Sequence, residues 1–288
     1  MKKIMTNNVK EKTVEIIFFI CACASIVAVC LICLFLFAKG VPAIGKIGVF
    51  DFLLGKEWSP NDLPASFGIF PMIVGSLYIT AGAIFFGGPI GILAAVFLAK
   101  SCPKIIYRFL KPAVELLAGI PSVVYGFFGI VVIVPLVRDM FGGNGNSILT
   151  ASILLGIMIL PTIIGISEAA IRAVPENYYE GALALGATHE RSVFFAVLPA
   201  AKSGILAGVV LGIGRAIGET MAVVMVAGNQ ARMPVDILMG VRTLTANIVM
   251  EMGYAADLHR EALIATGVVL FVFILLINAL FSVLKRRF

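Results

Sequence analysis

Residues 212–220 read GIGRAIGET and place two full charges, Arg215 and Glu219, inside an apolar run. A charge at the centre of a bilayer costs roughly 2.5 to 3.5 kcal/mol on insertion scales, so it comes with a partner or a wet cavity. At i and i+4 on one helix, a guanidinium and a carboxylate can partner each other. Arginine also carries a planar, permanently charged fork that suits an oxyanion. The pair therefore has two readings. It neutralises itself and pins a helix contact, or Glu219 holds Arg215 reversibly until a passing anion takes its place. At about 100° per residue, both charges fall on the stripe made by Gly204, Gly208 and Gly212. Small residues four apart admit a neighbouring helix, so this face is expected to look into a bundle and not at lipid.

Other chemistries find less support. Cys30-Leu-Ile-Cys33 has C-x-x-C spacing, but Cys21, Cys23, Cys30 and Cys33 share one apolar run without His or carboxylate. There a free cysteine behaves as a small hydrophobe. His189 and His259 are expected on opposite sides of a membrane and so cannot share a metal. The Gly-x-Gly letters of 212–214 follow no strand and make no dinucleotide loop. Gly45-Lys46, Gly55-Lys56 and Lys202-Ser203 each lack the rest of a G-x-x-x-x-G-K-[ST] phosphate cradle. No catalytic residue, cofactor or metal is expected on this chain, and any ATP must bind elsewhere.

The elements that position Arg215 follow from composition. With 60% hydrophobic and 13% charged residues and a mean hydropathy of +1.07, the chain lies far outside the soluble range. A hydrocarbon core about 30 Å thick needs roughly 20 apolar residues per helix. Six runs are long enough, at 16–38, 71–99, 113–137, 148–171, 203–227 and 262–284. They are too long and continuous for barrel strands, so the fold class is all-α, integral to the membrane. The first run has a basic prelude in Lys2, Lys3, Lys10 and Lys12, but it exceeds a signal core and lacks an obvious cleavage pattern, so it is expected to be retained.

Lys and Arg are retained on the cytoplasmic side during insertion. A cytoplasmic N-terminus places 1–15, 100–112, 172–202 and 285–288 inside, with fourteen of the 22 basic residues. Seven lie outside: Lys39, Lys46, Lys56, Arg138, Arg232, Arg242 and Arg260. Both termini are thus expected in the cytoplasm, and the net charge of +6 needs no nucleic acid to explain it. The domain plan is a 1–15 tail, a first helix at 16–38, an external loop at 39–70 with Trp58 as a candidate interfacial anchor, a five-helix core at 71–284, and a 285–288 tail. Gly87-Gly88-Pro89, Gly119-Ile-Pro121-Ser122 and Leu160-Pro161-Thr162 look like interruptions, which membranes tolerate where protein or a wet cavity surrounds them.

Within the core, the polar loop 172–202 suits a short helix-turn-helix, with Pro175 and Glu176 starting it, Gly186 turning it and Pro199 returning to the membrane. Glu180-Gly181-Ala182, Gly186 and Leu198-Pro199 resemble the E-A-A-x3-G-x9-I-x-L-P loop of ABC importer permeases, with Gly181 for the first Ala and Ala196 for the Ile. More narrowly, Trp58-Ser-Pro, FGIFPMIVGSLYIT (67–80), ELLAGIPSVVYGFFG (115–129), ALALGAT (182–188) and GIGRAIGETMAVVMVAGN (212–229) resemble the permeases of phosphate-specific (Pst) importers, the C-type subunit above all. The resemblance implies a MetI-like, six-helix, multi-pass inner-membrane permease for inorganic phosphate. It also implies a homologous A-type permease, two ATP-binding subunits that hold ATP and Mg, and an external phosphate-binding protein, all within membrane lipid. Arg215, Glu219, Thr220 and Ser122 would line the anion path, and the loop would dock on the ATP-binding subunit. Another oxyanion such as sulfate or molybdate, an ion-coupled carrier or channel, and a signalling or scaffold subunit are the alternatives.

Overall fold

The computed structural model describes the backbone of residues 2–287 and the side chains of residues 11–280 and Val283. The side chains of Lys2, Lys3 and Lys10 and the basic tail at 285–288 lie outside that set. Among the described residues six helical segments are long and apolar enough to cross a membrane: Glu11–Ile47, Phe70–Ser101, Ser122–Phe141, Ile148–Arg172, His189–Gly218 and Asp257–Leu280. The all-α membrane architecture expected from the sequence is present.

Helix α1 (Lys2–Ile47) continues through Pro42 well past the expected end at 38, so Lys39 and Lys46 stand on helix. Helix α2 (Val49–Leu54) and a two-stranded antiparallel hairpin, β1 (Trp58–Ser59) and β2 (Ser66–Phe67), follow. Helix α3 (Phe70–Val96) ends in a π-helical turn over 97–101. The third crossing differs from the expected 113–137. Ile120, before Pro121, is extended, as the proline ring requires of its predecessor. That separates an amphipathic α4 (Lys104–Gly119) from α5 (Ser122–Phe128), which runs through a π-helical turn into α6 (Val134–Phe141). Helix α7 (Ile148–Arg172) is capped by the Ser147 hydroxyl, which accepts from the Thr150 amide.

Past α7 come α8 (Glu176–Ala184), α9 (His189–Ser192), α10 (Leu198–Gly218), α11 (Met221–Val226), α12 (Leu244–Glu251) and α13 (Asp257–Arg287). The fifth crossing ends at Gly218, not at the expected 227. Helices α1 and α13 run antiparallel, with Phe37 edge-on to Phe271 and Lys46 Nζ 2.6 Å from Glu261 Oε2.

Helix α7 is the hub. Two-thirds of its apolar window is buried inside the chain, and none of the α1 window is, so α7 organises the core while α1 rides on its edge. Leu154, Leu155, Met158, Ile159 and Ile163 of α7 form the middle of the main hydrophobic cluster. Glycines bring α3 and α10 onto it. A Cβ on Gly87 would sit 2.5 Å from the Gly156 carbonyl oxygen, one on Gly204 would overlap Ala170, and one on Gly208 would sit 3.0 Å from Ser167 Oγ. The stripe 204–208–212 thus faces a helix, as its spacing predicts.

Two of the three expected interruptions are not breaks. Helix α3 runs straight through Gly87-Gly88-Pro89 and α7 through Pro161. The glycine there serves close packing, and only Gly119–Ser122 divides two helices. Gly87→Ala is expected to cost about 1 to 3 kcal/mol by overpacking. Gly88→Ala, whose Cβ would meet only Ile84 at an ordinary 3.6 Å, should leave stability unchanged or slightly raised. Thermal unfolding of the two purified variants separates these outcomes.

Candidate functional site

Arg215 stands in the last turn of α10, half-buried, and its Nη1 donates to Thr162 Oγ1 at 3.3 Å. Thr162 lies about 21 Å along a helix about 37 Å long, at 1.5 Å per residue, which puts the guanidinium near mid-membrane. The buried Tyr125 of α5 packs in the same hydrophobic cluster as Ala216, the residue after Arg215, and its phenol donates to the Leu117 carbonyl at 2.9 Å. No ion pair engages Arg215 among the described residues.

The expected Arg215–Glu219 pair is therefore corrected. It requires a helix that continues to residue 219, and α10 stops at Gly218, with Glu219 in an extended conformation. The carboxylate turns instead to the next segment, where Oε1 accepts from the amides of Thr220 at 3.1 Å and Ala222 at 3.3 Å. Two carbonyls at the break are also satisfied. Thr220 Oγ1 donates to Gly218 O at 3.2 Å and Thr245 Oγ1 to Glu219 O at 3.0 Å. Backbone can leave the helix at this depth only because side chains replace the lost bonds. Ser122, at the first turn of α5, is half-buried, three residues before Tyr125.

The loop at 172–202 folds as a helix-turn-helix. Gly186 adopts φ +85°, and the amides of Gly186 and Ala187 donate to Leu183 O at 2.8 Å and Ala182 O at 3.1 Å, the paired bonds of a Schellman motif. The Thr188 hydroxyl then caps α9. Its root is packed and tied. Val174, Val193 and Val197 cluster with Val96 and Ile171, Lys100 pairs with Glu176 at 2.8 Å, and His189 meets Tyr179 Oη at 2.7 Å and Ser101 Oγ at 3.2 Å. The tip is bare: α8 buries no residue, Glu180 and Gly181 are exposed, Ala182 is half-buried, and Leu185 is 92% exposed. Leu198 and Pro199 begin α10 after a π-helical turn at 193–197.

Two polar clusters escaped the sequence reading. At the end of the bundle that carries this loop, the buried Glu168 of α7 accepts from Tyr107 and Lys111 of α4 and from Arg172, each at 2.8 Å. Its hydrogen bond raises the Lys111 ammonium above its ordinary value, keeping it charged. The i,i+4 spacing of Glu168 and Arg172 was the available signal. At the opposite end, Glu251 gathers Trp58 Nε1 and His259 Nε2, each at 2.8 Å, and Arg242. Trp58 is thus buried in a polar knot and is not an interfacial anchor. No local spacing announces a contact between residues so far apart in the chain. Thr162, Tyr125 and Thr245 were missed for the same reason.

A bundle of membrane-crossing helices with a mid-membrane guanidinium, a broken helix beside it and an exposed helix-turn-helix at one end suits a membrane transport subunit. Residues 87–288 match the family of inner membrane components of binding-protein-dependent transport systems, and the chain belongs to it. It is 38% identical over 271 residues to a probable ABC transporter permease protein, YqgH, of Bacillus subtilis (strain 168), covering 91% of this chain and 88% of that one. It is 36% identical over 273 residues to the phosphate transport system permease protein PstC of Mesorhizobium japonicum, covering 88% and 83%. In fold it resembles the bacterial alginate ABC transporter solved with an alginate pentasaccharide-bound periplasmic protein, with TM-score 0.63 and 16% identity over 93% of this chain and 94% of that chain. It is a multi-pass inner-membrane permease subunit with the ABC-importer permease fold, and not itself an enzyme.

Thr245→Val would strand the Glu219 carbonyl and is expected to cost about 1 to 3 kcal/mol. Glu219→Gln keeps an acceptor oxygen for the two amides and should cost about 1 kcal/mol or less, the scale of a helix cap. Melting of each variant in detergent measures the difference.

Proposed function

We propose that this permease carries inorganic phosphate inward, driven by ATP and Mg bound to two separate subunits. It pairs with a homologous A-type permease and receives phosphate from an external binding protein. Both termini and the 172–202 loop face the cytoplasm. The observation that carries this reading is Arg215: a guanidinium near mid-membrane, held by a neutral hydroxyl and free of any carboxylate partner among the described residues. Such a charge is costly unless an anion or water reaches it. The likeness to PstC proteins supports phosphate as that anion.

Arg215 binds the oxyanion, with the hydroxyls of Ser122 and Thr220 along the same path. Glu219 shapes the path by fixing the start of α11, and its negative charge keeps a dianion from settling too firmly. Because no carboxylate must be displaced, the anion meets a guanidinium already aimed and open. The Glu180-Gly181-Ala182 segment, exposed at Glu180 and Gly181, and the Leu185 tip enter the ATP-binding subunit. Gly186, Leu198 and Pro199 hold the loop's shape, so that closure of the engine moves α7 and α10 as rigid rods.

The complex reconstituted in vesicles tests this directly. Arg215→Gln is expected to lower phosphate uptake about tenfold to a hundredfold, the worth of a lost charged hydrogen bond, with assembly intact. Wild-type uptake in that variant removes Arg215 from the path. Transport of sulfate or molybdate in place of phosphate overturns the substrate, and uptake without ATP-binding subunits overturns the mechanism. Leu185→Asp should cut phosphate-stimulated ATP hydrolysis about tenfold by placing a charge in an apolar contact. Unchanged stimulation counts against docking at the tip.

A further inference from the structure

The way α4 is attached to the bundle leads from the coupling loop to the anion path. Helix α4 buries no residue of its own, and its inward face, Tyr107, Lys111, Val114 and Leu117, is only half-buried, so apolar packing holds it weakly. What it has is a directional polar anchor. Tyr107 Oη and Lys111 Nζ both donate to Glu168, which is 2% exposed, each at 2.8 Å. Glu168 accepts a third bond from Arg172 on its own helix. Arg172 in turn donates Nη2 to the Leu98 carbonyl at 2.7 Å, in the π-helical turn that ends α3, and lies over the Tyr107 ring with Cζ 4.6 Å from its centroid.

One buried carboxylate and its arginine thus join α3, α4 and α7 at a single point. Arg172 is the last residue of α7, and the 172–202 loop begins there, so a displacement of that loop bears directly on this cluster. At its far end α4 holds the path. The Leu117 carbonyl accepts from Tyr125 of α5, which packs in the same hydrophobic cluster as Ala216, the residue after Arg215, and the extended Ile120-Pro121 link between the two helices is where they can pivot. A buried carboxylate with three satisfied donors has one well-defined geometry and is costly to leave half-paired, which makes the joint stiff.

We propose that Glu168 is a positioning residue for transport: it locks α4 to the end of α7, so that movement of the coupling loop is delivered to Tyr125 and Arg215 instead of being lost in a loosely held helix. This rests on the reading that the 172–202 loop docks the ATP-binding subunit. Glu168 touches no anion. It sets how much substrate moves for each ATP.

Phosphate uptake and ATP hydrolysis are measured on the same vesicles holding the complete complex. Glu168→Gln is expected to lower the phosphate moved per ATP about tenfold, within the range of coupling energies carried by such joints, while half-saturating phosphate stays within about twofold of wild type. Tyr107→Phe removes one hydrogen bond and no charge, and should lower the ratio about threefold in a complex of wild-type melting temperature. The Lys111→Gln/Glu168→Gln double variant should be no worse than Glu168→Gln alone, because the two groups act as one joint. A purely structural residue would change yield and melting but not the ratio. An unchanged ratio in Tyr107→Phe and in Lys111→Gln overturns the proposal, and these two variants decide even where Glu168→Gln fails to assemble. A wild-type complex that moves another anion refutes the phosphate reading, and the ratio is then taken for that anion.

Discussion

Within a bilayer no solvent completes a hydrogen bond, and the break in the fifth crossing of this chain is governed by that constraint. The break at Gly218–Thr220 shows it most directly. Leaving the helix frees carbonyls and amides near mid-membrane, and side chains of Glu219, Thr220 and Thr245 take their places. The break could not stand without them. It ends α10 at the turn that carries Arg215, so the geometry of the guanidinium depends on how the backbone beside it is satisfied.

The same constraint explains the two buried carboxylates. Glu168 and Glu251 are each almost fully enclosed, and each is surrounded by several donors from separate elements. Replacing such clusters with apolar side chains often costs nothing in stability, so their value lies in fixing one arrangement among many. They sit at opposite ends of the bundle, one beside the 172–202 loop and one under the 58–67 hairpin. Between them the helices touch mainly through glycines and aliphatic side chains, contacts that are close but not directional, with few hydrogen bonds such as Arg215–Thr162. Stiff polar joints at both ends and smooth packing between them suit helices that must shift as rods.

Apolar run length located all six crossings, because the thickness of the bilayer sets it. Boundaries were poorer at the third and fifth crossings, where hydrophobicity continues across a backbone break. Proline did not report the breaks reliably: Pro89 and Pro161 lie within intact helices, while Glu219 sits at a real break with no proline near it. The loop letters at 180–186 were legible down to the turn, since the positive φ at Gly186 excludes most other residues.

By itself the sequence determined the solvent in which this protein folds, the number of its crossings, the stripe of glycines that turns Arg215 inward and the turn that shapes the 172–202 loop. Each of those is local, set by composition or by spacing within a few turns of helix. Only the tertiary structure decided what the charges meet. It gave Arg215 a threonine from another helix, turned Glu219 away to its own backbone, and brought Trp58 to Glu251 and Tyr107 to Glu168. Partners for buried polar groups are chosen by proximity in space across distant parts of the chain, and periodicity along one helix carries no record of that choice.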